Sequence, residues 1–161
     1  MSEKDMFIQS WEREFQTTLK VLRAFPKDKM DLKPADKLRS ARDLVWVFHG
    51  EQDLVEMAVK GQVDFSRPST PPPTSMDEII TAYESAVKRN IEQVKGMSEA
   101  DYNSMMGWFV APKTPGKVRR ADVLWTTLMD MIHHRGQLTI YLRIAGGKLP
   151  SVYGPTADEP W

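Results

Sequence analysis

Asp130 and His134 stand four residues apart in a long periodic segment near the end of a 161-residue chain. On a helix this spacing stacks the two side chains one turn apart on one face. A carboxylate oxygen and an imidazole nitrogen so placed can grip a single cation, as the paired histidines of helical zinc motifs do. Thr127, Gln137 and Tyr141 extend the pair in steps of three and four, so the five polar side chains fall within roughly 80° of one another. Leu124, Met131, Leu138 and Leu142 flank this stripe on one side, and Met129, Ile140 and Ile144 on the other. Arg135, Thr139 and Arg143 lie opposite and read as the water-facing set. The stripe is therefore expected to point inward, where an unpaired polar group costs about 1–3 kcal/mol. Either a ligand or a hydrogen-bond network without a ligand must satisfy it.

A second set lies upstream. His49 closes the apolar run Leu44-Val45-Trp46-Val47-Phe48, and Asp53 follows one turn later on the same face. Alone, such a histidine reads as a core residue hydrogen-bonded to a neighbour. Paired with the downstream stripe, it completes a metal site of nitrogen and oxygen donors: His49, Asp130 and His134 on facing helices. Two histidines and one carboxylate with open positions suit zinc or, as a facial triad, ferrous iron, with nickel or manganese as further candidates. Asp53, Gln137 and Tyr141 are candidates to orient the ligands or act on a bound water. Glu51 projects about 160° away from His49 at helical geometry and is left out of the set. His133 is turned about 100° from His134 and is assigned to packing or a surface contact.

The elements that must position these residues are helical. Phe7, Ile8, Trp11, Phe15, Leu19 and Leu22 recur at three- and four-residue steps, which predicts an amphipathic helix from about Lys4 to Ala24, stopped before Pro26. A second helix is predicted over Leu44 to Lys60, with Ser40 and Asp43 as a capping signal and Gly61 as its end. Pro68 and Pro71-Pro72-Pro73 make the next segment a loop. Ser75 to Glu78 reads as a capping box opening a third helix to about Lys95. The stretch from Met97 to Ala111, with turn signals continuing to Gly116, reads as an irregular crossover in which Trp108-Phe109-Val110 can form a short extended piece. A long last helix runs from Ala121 to about Ala145, ending at Gly146-Gly147, and the proline-containing tail from Lys148 lies on the surface. The expected fold is an all-α four-helix bundle formed by residues 1–161 as a single domain.

Composition narrows the function. The chain has no cysteine, which excludes disulfides, thiolate zinc sites, iron–sulfur clusters and cysteine nucleophiles, and suits a reducing cytoplasm. Twenty-two Lys and Arg balance 22 Asp and Glu. This argues against a broad electrostatic grip on nucleic acid or a membrane surface. The cluster Lys117 to Arg120 is too short to change that expectation. The start shows no apolar segment of signal-peptide length, so a soluble, unexported protein is expected.

Asp130-Met131-Ile132-His133-His134-Arg135-Gly136-Gln137-Leu138, followed by Tyr141-Leu142-Arg143, Gly146, Pro150 and Tyr153-Gly154-Pro155, resembles the C-terminal signature of the DinB-like (DinB/YfiT) family of metalloenzymes. Trp46-Val47-Phe48-His49 is similar to the family's second-helix histidine segment. The resemblance implies a four-helix bundle, often dimeric, whose divalent metal is held by three histidines. Carried onto this chain, those positions are His49, 130 and His134, and the middle one here is Asp130. It also implies a hydrolase, or a transferase using a low-molecular-weight thiol, acting on a small molecule. The competing reading is a non-catalytic bundle with a weakened metal site, serving as a binding or interaction module. Trp125 and Ile132, on the side of the last helix away from the stripe, are candidate homodimer contacts or packing against a neighbouring helix or the tail.

Overall fold

The computed structural model of the chain describes residues 1–66 and 68–161. The first helix, α1 (Glu3–Ala24), starts at a capping box. Asp5 N–H donates to Ser2 Oγ over 3.2 Å, and Ser2 N–H donates to Asp5 Oδ2 over 2.9 Å. Its predicted apolar stripe, Phe7 through Leu22, is the buried face. Helix α2 (Ala41–Lys60) starts at the expected capping signal, where Ser40 Oγ accepts from Asp43 N–H at 3.1 Å. It stops at Gly61, whose φ of 68° lies in the left-handed region that favours glycine. Helix α3 (Met76–Gly96) has Ser75 at its cap position, but that side chain makes no capping bond, so the expected capping box is not formed.

Helix α1 packs against α3 and against the last helix, α5 (Arg120–Ile144), and α2 packs against the same two, closing a four-helix bundle. The core is mainly aliphatic and aromatic, and each fully buried Leu, Ile or Phe contributes about 1.5–3 kcal/mol. Buried amides set the register of α2. Asn90 Nδ2 donates to the Gln52 carbonyl at 2.8 Å, while Gln52 Nε2 donates to the Phe48 carbonyl at 3.3 Å and lies 3.3 Å from Met131 Sδ in α5.

The crossover between α3 and α5 is more regular than its sequence suggests. A short helix, α4 (Glu99–Asn103), leads into an antiparallel hairpin of β1 (Met105–Ala111) and β2 (Thr114–Arg119). Trp108 pairs with Gly116 and Phe109 with Pro115, with an irregularity between Phe109 and Ala111, and Lys113 turns the chain at φ 59°. Gly107 in β1 and Pro115 and Gly116 in β2 hide this pairing. A hairpin left largely exposed also needs no period-two alternation.

Arg135 corrects an expectation. It is not water-facing but 1% exposed, because α5 is covered on that side by α1 and the tail. Its Nη1 donates to the Glu14 carbonyl at 3.1 Å and to Thr18 Oγ1 at 3.2 Å, and its Nη2 to Glu14 Oε2 at 2.6 Å and to the Tyr153 hydroxyl. Tyr153 in turn donates to Glu14 Oε2 at 2.6 Å, and its ring centre lies 5.1 Å from the guanidinium carbon. The tail is thereby clamped across α1 and α5. Trp125 packs edge-on against Phe7 with ring centres 5.2 Å apart, and Ile132 shares a cavity with Leu149 and Val152 of the tail. Both side chains have partners within the chain. No helix among the described residues is long and apolar enough to cross a membrane.

Candidate metal centre

Helix α5 brings Asp130 and His134 together as their spacing requires, with His134 Nε2 3.4 Å from Asp130 Oδ2. The third group comes from α2, and it is Glu51. One donor atom from each of Glu51, Asp130 and His134 lies within 4.8 Å of the other two, the only such cluster among the described residues. The site is graded from inside to outside: Glu51 is 7% exposed, the His134 side chain 15% and the Asp130 side chain 48%.

His49, proposed from sequence as the α2 ligand, is not in this cluster. Its ring stacks on Trp46, with centres 4.2 Å apart and planes within 5°, and Trp46 Nε1 donates to the Thr70 carbonyl at 2.7 Å under the proline-rich loop. Burial lowers the imidazole's pKa, the Asp53 charge opposes that, and the Arg89 charge from α3 adds to it. Asp53 lines the cavity beneath the loop, away from α5. The physical reason is the periodicity of α2. Leu44, Phe48, Val55 and Ala58 are buried at helical spacing, and positions 51 and 52 complete that stripe, so the face meeting the bundle carries Glu51 rather than His49. The signal was present in the three- and four-residue spacing. The unbroken run ending at His49 concealed it.

Glu51 is electrostatically costly as it stands. Its Oε2 is buried without a hydrogen-bond partner. Burial, then the adjoining Asp130 carboxyl, pushes its pKa up to about 8, with the Arg39 charge partly opposing them. A buried orphan oxygen facing a second carboxylate and an imidazole nitrogen is the arrangement a divalent cation neutralises, so the residues present fit a metal. The donor set holds more oxygen than nitrogen.

Gln137 organises the two adjacent histidines. Its Oε1 lies 3.1 Å from His134 Nδ1, and its Nε2 lies 2.9 Å from His133 Nε2. The amide oxygen can only accept, so it holds a proton on His134 Nδ1 and turns Nε2 toward Asp130. The amide nitrogen donates to His133, occupying that ring outside the cluster. Tyr141 is buried, and its hydroxyl donates to the Arg39 carbonyl at 3.0 Å, tying the α1–α2 connection to α5. Thr127, at the inner end of the stripe, bonds back to the Val123 carbonyl at 2.9 Å. The cluster lies between two open clefts. One, of about 330 Å³, is walled by Trp108, Met129 and His133 on the Glu51 and Asp130 side. The other, of about 430 Å³, opens on His134 and Gln137.

Comparison with known proteins agrees with this architecture. A family model described as "DinB family" matches residues 1–160. The chain is 24% identical over 157 residues to the uncharacterized protein YrdA of Bacillus subtilis, covering 96% of this chain and 90% of that one. A solved DinB-like protein from Bacillus cereus superposes with a TM-score of 0.78 at 22% identity, covering 91% of this chain and 95% of that one. The DinB-like protein YjoA of Bacillus subtilis gives 0.73 at 19% identity, covering 91% and 96% respectively.

Proposed function

Starting from the chain's membership of the DinB family, we propose that it is a metal-dependent enzyme whose divalent ion is held by Glu51, Asp130 and His134 between α2 and α5. The observation that carries this reading is the convergence of these three groups around the unpartnered Glu51 oxygen. Two carboxylates and one imidazole form a hard, oxygen-rich set that suits manganese or ferrous iron, with zinc and nickel competing through the imidazole. A divalent ion held there supplies Lewis acidity toward a substrate oxygen or a water.

The chain's own residues supply the orientation. Gln137 presents His134 Nε2 to the donor cluster and keeps His133 out of it. Glu51 forms the dry floor, Asp130 the exposed rim, and the two clefts admit a small-molecule substrate from either side. The chemistry proposed is hydrolysis or a transfer reaction that uses a low-molecular-weight thiol, in a cytoplasmic protein. We assign it no nucleic-acid or membrane role, in keeping with its zero net charge. A homodimer is part of the same reading and rests on the resemblance to the family.

A second reading, a binding module that holds metal without turnover, is favoured by one observation: a carboxylate, Asp130, stands where the resemblance implies histidine. The two separate by assay of protein loaded with manganese, iron, nickel or zinc. Aryl esters test hydrolysis, and a small thiol with an electrophilic acceptor tests transfer. Turnover that needs the metal and disappears in His134→Ala supports the enzyme. Stoichiometric metal without turnover of either substrate type supports the module.

A further inference from the structure

We propose that the cleft beside His134 binds a small organic anion, with its carboxylate or phosphate end held by Arg39 and Lys37 and its apolar body lying along Leu38, Leu44 and Ile140. This rests on the metal-centre reading and names the substrate class for it. The cleft, about 430 Å³, falls within the size range of small-molecule sites and has His134 in its wall.

The cations on the α1–α2 connection are not equivalent. Lys27 is paired with Asp77 and Lys29 with Asp28, and Arg42, in the first turn of α2, with Asp31, whereas Lys33, which does not line the cleft, has no ion pair among the described residues. Arg39 and Lys37, the two that line the cleft, make no ion pair or side-chain hydrogen bond among the described residues. The backbone that carries Arg39 is held in place. The buried Tyr141 donates to the Arg39 carbonyl at 3.0 Å, and Ser40, the next residue, is the cap of α2.

The sign of the ligand follows from charge. A divalent ion offsets the two carboxylates of Glu51 and Asp130, leaving Arg39 and Lys37 as the uncompensated charge of the cleft. A guanidinium binds carboxylate and phosphate oxygens through paired N–H groups, and an ammonium adds a second point charge. Leu38, Leu44 and Ile140 provide apolar surface that a purely inorganic anion would not use, and Leu38 and Ile140 are exposed in the absence of an occupant.

The test is a titration of isotope-labelled full-length protein, metal-loaded and chelator-treated in parallel, with phenyl phosphate, phenylacetate, benzyl alcohol and benzylamine, followed by amide NMR. Both anions should bind at residues 37–44 and 134–141, more tightly than the neutral and cationic probes. The double substitution Lys37→Gln, Arg39→Gln, at exposed positions, should weaken the anions by about tenfold or more and leave benzyl alcohol unchanged. The ratio of the two anions identifies the oxyanion. Equal binding of all four probes, absence of anion binding, or anion binding indifferent to the double substitution would overturn the proposal. Metal content of the same samples reads the donor cluster separately: a protein that takes up metal but shows no Arg39-dependent anion binding fails here and not there.

Discussion

Replacing Arg135 by Met should cost more stability than any single substitution on the exposed face of α5. The Arg135 side chain is 2% exposed and the Glu14 side chain 6%, so removing the guanidinium leaves a buried carboxylate with only the Tyr153 hydroxyl and the exposed Arg13 as partners. Breaking a buried pair from one side costs about 3–5 kcal/mol, a large share of the roughly 5–15 kcal/mol available to a domain. For this chain length, each kcal/mol moves the midpoint by about 2–4 °C, so a fall of roughly 6–20 °C is expected. The pH dependence adds a second signature. Burial alone would raise the Glu14 pKa, but hydrogen bonds from Tyr153 and Arg135 outweigh it and hold the carboxyl below its ordinary value. In the native protein the contribution of Glu14 is therefore present above the unfolded carboxylate range, near 4.5, and is lost as pH falls through the lower folded value. Without Arg135 less opposes the burial effect, and the loss moves to higher pH. Urea unfolding from pH 3 to 7 measures both effects, and Arg135→Met combined with Glu14→Gln should recover much of the lost stability. A cost below about 1 kcal/mol, or an unchanged pH profile, would refute the account of this cluster. The consequence reaches the metal centre, because Arg135 adjoins His134 and the clamp sets the rotation of α5.

Other expectations are more local. Gln137→Leu should weaken metal binding by about 10–100-fold in a chelator competition, while Gln137→Glu, which still accepts from His134 Nδ1, should preserve it. Equal loss in both would remove the orienting role. Ser40→Ala should cost about 1 kcal/mol in thermal unfolding because its hydroxyl caps α2, whereas Ser75→Ala, whose side chain caps nothing, should be near neutral. A reversed order would contradict the assigned caps. His49→Ala should change the fluorescence of Trp46, on which the imidazole stacks, and leave metal affinity as it is.

Much of the bundle is legible from periodicity. The stripe Phe7 to Leu22 is the core face of α1, and the glycines after α2 and α5 lie close to the ends of those helices. Asp130 and His134 meet because i,i+4 geometry on one helix needs no tertiary knowledge. What the two ends of the site share depends on the rotation of α2 against α5, which a local apolar run does not encode. There the choice between His49 and Glu51 turned on the full stripe Leu44, Phe48, Val55 and Ala58. Arg135 was read as exposed for a related reason. Its partners Glu14 and Tyr153 are distant in sequence and make a polar core that hydropathy cannot reveal. The extended piece at Trp108-Phe109-Val110 was legible, but its partner strand was not, because the pairing sets Pro115 and Gly116 opposite Phe109 and Trp108, and proline and glycine argue against strand when taken one at a time.

The central claim concerns which α2 side chain faces Asp130 and His134, and elemental analysis of untagged protein after metal loading tests it directly. The structure predicts one divalent ion per chain in the native protein and in His49→Ala, and little or none in Glu51→Gln, Asp130→Asn and His134→Ala. Full occupancy in Glu51→Gln together with loss in His49→Ala would contradict it.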